Sequence, residues 1–436
     1  MSQFTRRTFL KLTGGAAAVT ASGLYLPSIG RAAAPRVVVV GGGYGGAVAA
    51  KYVKKGLPSA DVTLIEMNEK YISCPLSNPV LVGHRDMKVQ TWGYEGLKKH
   101  GINVVIDEVT GIDAAAKKVT TKGGKSFEYD KLVVSPGVEL KFGAIEGFSA
   151  EAAEKMPHAW KAGPQTLLLK KQLESMTDGD PFIIVAPPNP FRCPPGPYER
   201  ASLVAHWMKK HKPKSKVIIL DAKDAFAKQP LFVSGWKELG LNVEWKKGAE
   251  GGKVTKIDVA GMTVTAGDMG DTYKSSCINV IPPQVAGHIA HVGGLVNDKG
   301  WCPVNPATCE STLHKDVYVI GDACAIAGLT DKDALPKSGY AANSEAKVAA
   351  ANIVAALSGK EAGDPSYANT CYSILTPDYG ISVAHIGGVS EGKLKITSTA
   401  ISPPSADLGA GKDTFRKQEA IYAEGWYQSI MADTFA

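Results

Sequence analysis

Two kinds of residue in this 436-residue chain carry chemistry: glycines at a strand–helix turn, and seven cysteines. Gly41, Gly43 and Gly46 fit G-x-G-x-x-G directly after the four valines Val37 to Val40. The stretch "APRVVVVGGGYGGAVAAKYVKKGLPSADVTLIE" then reads as strand, turn, helix and second strand. Glycines at those positions let the backbone turn tightly and approach a pyrophosphate, and the helix N-terminus adds positive potential. Glu66 ends the second strand twenty positions after Gly46, where a carboxylate accepts from ribose hydroxyls. A ligand with an ADP half is expected here.

The cysteines are Cys74, Cys193, Cys277, Cys302, Cys309, Cys324 and Cys371. No C-x-x-C pair offers a zinc site and no C-x-x-C-H offers haem attachment, so no metal ligands are assigned. Cys193 stands in "FRCPPGPYER", after the apolar strand "PFIIVA" and before the helical "ERASLVAHWMKKH". That outline repeats the first nucleotide unit, with "KVIILDAK" as its second strand, but the glycine fingerprint is gone. Proline lacks the amide N–H of a phosphate cradle and its φ is fixed. NAD(P) is therefore not expected.

The elements that must position these residues are those of an α/β protein with two dinucleotide-binding-type units. The length suits two or three domains and the apolar and charged fractions are those of a globular chain. The formal charge of +7 falls to +3 without residues 1–34, which hold four basic residues and no acid. No basic block suggests nucleic acid. "TRRTFLK", Thr5 to Lys11, followed by an uncharged stretch and small residues, reads as a cleaved twin-arginine signal over 1–34. The expected location is the periplasm, where disulfides persist. The uncharged stretch is rich in Gly, Ser and Thr and is a poor membrane span.

"YDKLVVSPG", Tyr129 to Gly137, and "DVYVIGDACA", Asp316 to Ala325, resemble segments of the flavoproteins with two dinucleotide-binding domains, over about 35–360. The resemblance implies a glutathione-reductase-like fold: FAD domain 35–150 and 291–360, a degenerate NAD-type domain 151–290, and a small α+β, strand-rich C-terminal domain 361–436. It implies FAD, with Asp322 on the ribityl chain and the turn before the helix "LPKSGYAANSEAKVAAANIVAAL", including Lys337, at the flavin's pyrimidine edge.

"EKYISCPLSNPVLVG" makes the resemblance specific: the chain resembles the flavoprotein subunit of flavocytochrome c sulfide dehydrogenase. That resemblance, and nothing else in the sequence, implies that Cys74 forms an 8α-thioether to FAD. It implies likewise that Cys193 and Cys371, the latter in "ANTCYSILTPD", form a redox-active disulfide over the flavin. In the same family pattern Glu199 is an acid–base group or field element beside the disulfide, whereas by itself it reads as a solvent-facing carboxylate in the first turn of a helix. Trp426 reads either as a cover for the flavin or floor of the partner interface, or as an ordinary core tryptophan. The implied reaction is oxidation of hydrosulfide to zero-valent sulfur or polysulfide, with electrons passing singly to a haem on a c-type cytochrome subunit. Cys277, Cys302, Cys309 and Cys324 are left for structural disulfides or buried thiols. The alternative is a sulfide:quinone oxidoreductase, which needs a membrane-docking segment; the tail "GWYQSIMADTFA" is short and without a basic face, so no stable membrane insertion is expected.

Overall fold

The computed structural model describes residues 33–436; the expected signal, residues 1–34, lies outside them but for its last two. The first unit runs β1 (Arg36–Val40), α1 (Tyr44–Gly56), β2 (Asp61–Glu66), the short α2 (Asn78–Leu81), β3 (Asn103–Ile106) and β4 (Lys131–Val134). An inserted unit comes next as β5 (Phe182–Ala186), α3 (Gly196–His211), β6 (Val217–Asp221), α4 (Gln229–Glu238), β7 (Val243–Lys246) and β8 (Cys277–Val280). The chain then returns through β9 (Val317–Val319) and α5 (Gly339–Leu357). It ends in β10 (Tyr367–Thr376), β11 (Tyr379–Ser390), β12 (Lys393–Ile401) and α6 (Lys412–Phe435).

Two parallel sheets result, in spatial order β9-β4-β1-β2-β3 and β7-β6-β5-β8. Their strands are continuous Val/Ile/Leu runs because both faces are covered. In each, the order reverses beside the first strand, which opens a crevice at the strands' carboxyl ends. The glycine turn occupies the first crevice and the proline turn the second. Helix α5 packs along α1 and closes the first unit.

The C-terminal region is α+β, and differs from its strand-rich reading in that its last segment is a long helix. Three antiparallel strands, β10-β11-β12, are followed by a helix of 24 residues. The tail is the second half of that helix, and Ala423, Tyr427, Ile430, Met431 and Phe435 form its buried stripe. The period is obscured because the stripe continues into charged residues, Arg416 and Glu419, exposed by only 1% and 6%. Arg416 meets Glu419 at 3.4 Å and donates to the Pro403 carbonyl and Ser405 Oγ; Glu419 accepts from Ser382 and Ser402.

This buried pair clamps α6 to the β11–β12 end of the sheet. Removing one partner leaves the other charge without its partner, at about 3–5 kcal/mol. Arg416→Ala is expected to lower the urea-unfolding free energy by that order, and Arg416→Met with Glu419→Leu to regain most of it. An Arg416→Ala protein as stable as the wild type would show that the pair does not hold the helix.

Candidate flavin and disulfide site

The first crevice is built as a phosphate cradle. Gly41 has φ +95°, and a Cβ there would lie 2.3 Å from the Ser135 carbonyl oxygen. A Cβ on Gly46 would lie 1.8 Å from the Gly41 oxygen, so neither position admits a side chain. Gly43 is the N-cap of α1. Glu66 accepts from the Gly42 amide at 2.7 Å and from Asn68, so it also braces the turn. Tyr94 stands against Gly42 with a buried hydroxyl that has no partner.

A cavity of about 320 Å³ is lined by Pro194, Trp301, Asp322, Lys337, Ser338 and Glu345, among others. Asp322 Oδ1 and Asn369 Nδ2 are buried without a partner. Burial pushes the Asp322 carboxyl up, against Arg192 and Lys337, which lower it. Unsatisfied polar atoms beside a glycine cradle fit a polar ligand such as the ribityl and phosphate parts of FAD. Ser338 caps α5 by accepting from the Ala341 amide at 3.1 Å. Lys337 stands in the cavity wall, where its ammonium donates to the Asp322 and Cys324 carbonyls and lies 3.9 Å from the Trp301 ring centre.

The proline turn is tied to this cavity. The Cys193 amide donates to the Lys337 carbonyl at 2.8 Å, and Cys193 adopts φ +59°, rare for a residue with a side chain. Gly196 makes room for the thiol: a Cβ there would lie 3.0 Å from Cys193 Sγ and 2.7 Å from the Trp160 ring. Cys74 Sγ faces the Trp160 carbonyl at 3.6 Å. Cys193 feels the charges of Cys371, Glu199, Arg192 and Cys74; burial, first of all, pushes its thiol well above the ordinary range. The site therefore gathers Cys74, Cys193, Cys371 and Glu199. The Cys193 and Cys371 sulfurs are not bonded to each other in this structure.

Glu199 joins the pieces. One carboxylate oxygen accepts from the Ile374 amide in β10 at 3.0 Å, the other from Asn78 Nδ2 at 3.0 Å. The Asn78 carbonyl oxygen accepts from Arg200 Nε at 3.0 Å, and Arg200 is held by the His158 and Ala159 carbonyls and Asn279. Burial raises the Glu199 carboxyl despite these donors, and lowers Arg200 to about 10. For Arg192, burial is outweighed by the neighbouring Cys74 and Asp322 charges, which hold it above its ordinary value. Burial, with Arg200, Lys161 and Arg192, takes His158 down to about 4. Trp426 lies by Tyr340 and Tyr372, with its indole N–H buried and unpartnered.

Sequence reading missed Asn78, Arg192, Arg200, Lys228 and Glu345. Asn78 and Arg192 sat in plain view, one four residues after Cys74 and one beside Cys193. Burial lifts the Glu345 carboxyl to about 7; it accepts from the Gly321 amide at 2.6 Å and from the Cys324 thiol. Cys277, Cys302, Cys309 and Cys324 are buried free thiols, so no structural disulfide forms among them here. Among the described residues no metal-binding cluster occurs.

The second crevice is filled by side chains. The Tyr198 and Phe226 rings stack with centres 3.6 Å apart. Asp221, at the end of β6 where a nucleotide's ribose would be met, is fully buried and bonded to Tyr198, Lys223 and Trp245. No acceptor remains there for a ribose hydroxyl.

Comparison with known proteins agrees with this layout. Residues 35–171 match the pyridine nucleotide-disulphide oxidoreductase family. Residues 166–282 match the central part of the sulfide dehydrogenase (flavocytochrome c) flavoprotein chain, and residues 363–435 match the flavin-binding part of flavocytochrome c sulphide dehydrogenase. A flavocytochrome c sulfide dehydrogenase flavoprotein chain from Chlorobaculum thiosulfatiphilum is 58% identical over 45 residues, 10% of this chain and 94% of that short sequence. The mitochondrial sulfide:quinone oxidoreductase of Dictyostelium discoideum is 24% identical over 73% of this chain and 70% of its own length. The crystal structure of the Aquifex aeolicus sulfide:quinone oxidoreductase shares the fold, with TM-score 0.69, 18% identity and 92% of each chain covered. By these matches the chain belongs to the flavocytochrome c sulfide dehydrogenase flavoprotein family, the sulfide-oxidising flavoproteins among the FAD-dependent pyridine nucleotide-disulfide oxidoreductases.

Proposed function

We propose that this chain is the exported flavoprotein subunit of a sulfide:cytochrome c oxidoreductase, with FAD tethered through Cys74 and a redox-active Cys193–Cys371 disulfide. The observation that carries the reading is the Glu199 carboxylate, which bonds to the segments bearing Cys74 and Cys371 from the helix that comes after Cys193. Three segments far apart in sequence are thereby registered on one another beside the flavin cavity.

Hydrosulfide attacks one sulfur of the disulfide, giving a cysteine persulfide and a cysteine thiolate. FAD, when bound, takes up the electron pair this chemistry yields and passes electrons on singly. Arg192 and Arg200 bias the site toward anions, which favours entry of hydrosulfide. Glu199, held by two donors, is placed to exchange a proton with incoming sulfide. The filled second crevice supports sulfide over a nicotinamide as electron source. The twin-arginine segment supports a periplasmic site of action and, with it, a c-type cytochrome as acceptor. A quinone acceptor is less well supported, because the C-terminal helix has its apolar stripe turned inward. Among the described residues no helix is long and apolar enough to cross a membrane.

Anaerobic mixing of the holoprotein with sulfide is expected to bleach the flavin, and re-oxidation to occur with c-type cytochrome but not with a soluble quinone. Re-oxidation by quinone alone would move the chain to the quinone-linked branch. Glu199→Gln is expected to slow bleaching about 10²-fold at the optimum. Since burial raises the Glu199 carboxyl, its ionised form accumulates only above the ordinary carboxylate range. The wild-type rate should climb with pH through that range, and the ratio of wild-type to Glu199→Gln rates should climb with it. A ratio flat in pH would remove Glu199 from proton transfer.

A further inference from the structure

The side chains that fill the second crevice also carry a lysine to the backbone of Cys371. Tyr198 immediately precedes Glu199, and its stacked partner Phe226 lies two residues before Lys228. Tyr198 is anchored through Asp221, which also takes Lys223 and Trp245. Lys228 leaves this cluster with φ +61°, in the left-handed region unusual for a residue with a side chain, and its carbonyl accepts from the Leu231 and Phe232 amides at the start of α4. Its side chain crosses to β10, where the ammonium donates to the Cys371 carbonyl at 3.2 Å and Ser373 Oγ at 2.7 Å. Lys228 is exposed by only 7%, and among the described residues it forms no ion pair. A buried lysine with two neutral hydrogen-bond partners calls for an anion nearby, and the acidic groups whose charge it favours are Glu199 and Cys371.

We propose that the remodelled nucleotide crevice delivers Lys228 to Cys371, where its charge makes Cys371 the sulfur that leaves as a thiolate when the disulfide opens. The inference rests on the disulfide of the proposed function. In the step, hydrosulfide sulfur bonds to the Cys193 sulfur and the Cys193–Cys371 bond breaks. The bonding pair moves to the Cys371 sulfur, which is reduced, while the incoming sulfur is oxidised and keeps its proton as Cys193–S–SH. One negative charge enters and one remains, on Cys371 beside Lys228. Thiol–disulfide exchange favours departure of the better-stabilised thiolate.

The charges around the two sulfurs differ accordingly. At Cys371, burial raises the thiol, Lys228 lowers it and Glu199 raises it. At Cys193, burial, Cys371, Glu199 and Cys74 raise the thiol and Arg192 lowers it; Arg200 also attracts its charge, but that guanidinium is spent on Asn78, Asn279 and the His158 and Ala159 carbonyls. Lys228 is a positioning residue for the leaving sulfur, held on the Cys371 carbonyl from the unit that in related folds would hold a nucleotide.

The test reduces the disulfide of the holoprotein anaerobically with a phosphine and tracks iodoacetamide labelling of the Cys193 and Cys371 peptides by mass across pH. Wild type is expected to label Cys371 at lower pH than Cys193. Lys228→Met and Lys228→Gln should each slow Cys371 labelling at neutral pH about tenfold or more, the effect of one unit in thiol pKa. Lys228→Arg should restore it. Glutamine keeps the hydrogen-bonding capacity without the charge, so a wild-type profile in Lys228→Gln would overturn the proposal. Labelling of Cys193 first in the wild type would overturn it too. Flavin content and circular dichroism confirm folding, and the glutamine variant carries the test if methionine disrupts it. Wild-type flavin that sulfide does not bleach would sink the functional reading instead, and leave the labelling order as a separate result.

Discussion

A buried carboxylate is costly unless its charge is met, and Glu199 meets that requirement in a way that organises the whole site. Its two oxygens take one donor from α2 and one from β10, so ionisation of Glu199 is compatible with the fold only while both segments stay in place. Asn78 relays the arrangement to Arg200, whose guanidinium is spread over carbonyls and Asn279. The segment "SCPLSN" thus carries two side chains of the site: Cys74, whose Sγ faces the Trp160 carbonyl, and Asn78, four residues on, which orients the Glu199 carboxylate. Small displacements of α3 would be felt by all three sulfurs.

The two crevices show what one architecture does with different turn chemistry. Both parallel sheets reverse strand order beside their first strand. In the first, Gly41 and Gly46 bring backbone against backbone and leave polar atoms unsatisfied around a cavity. In the second, prolines remove amide donors, and Tyr198, Phe226 and Asp221 close the space on themselves. The closed crevice packs side chains behind the turn that holds Cys193 at positive φ, a conformation that persists only where its surroundings fix it.

The first nucleotide unit was legible in sequence because its signals are local: valines, glycines and Glu66 within one strand–helix–strand. The second was legible as a unit that had lost its fingerprint. The grouping of Cys193 with Cys371, 178 residues apart, came from the family resemblance and not from any local signal. Long-range partners such as Lys228 and Ile374 have no signature, since a lysine before a helix and a backbone amide look alike everywhere. Helix α6 was misread for a physical reason: its buried stripe contains an Arg–Glu pair, so burial and hydrophobicity part company there. The four remaining cysteines illustrate the same limit, since an even count suggested bridges while each packs as a buried thiol.

If Cys74, Cys193 and Cys371 act together on one flavin, peptide mapping of the acid-denatured holoprotein under non-reducing conditions will find an FAD mass retained on the Cys74 peptide and Cys193 linked to Cys371. Flavin released free with Cys74 unmodified, or Cys193 bonded to another cysteine, would contradict that joint action.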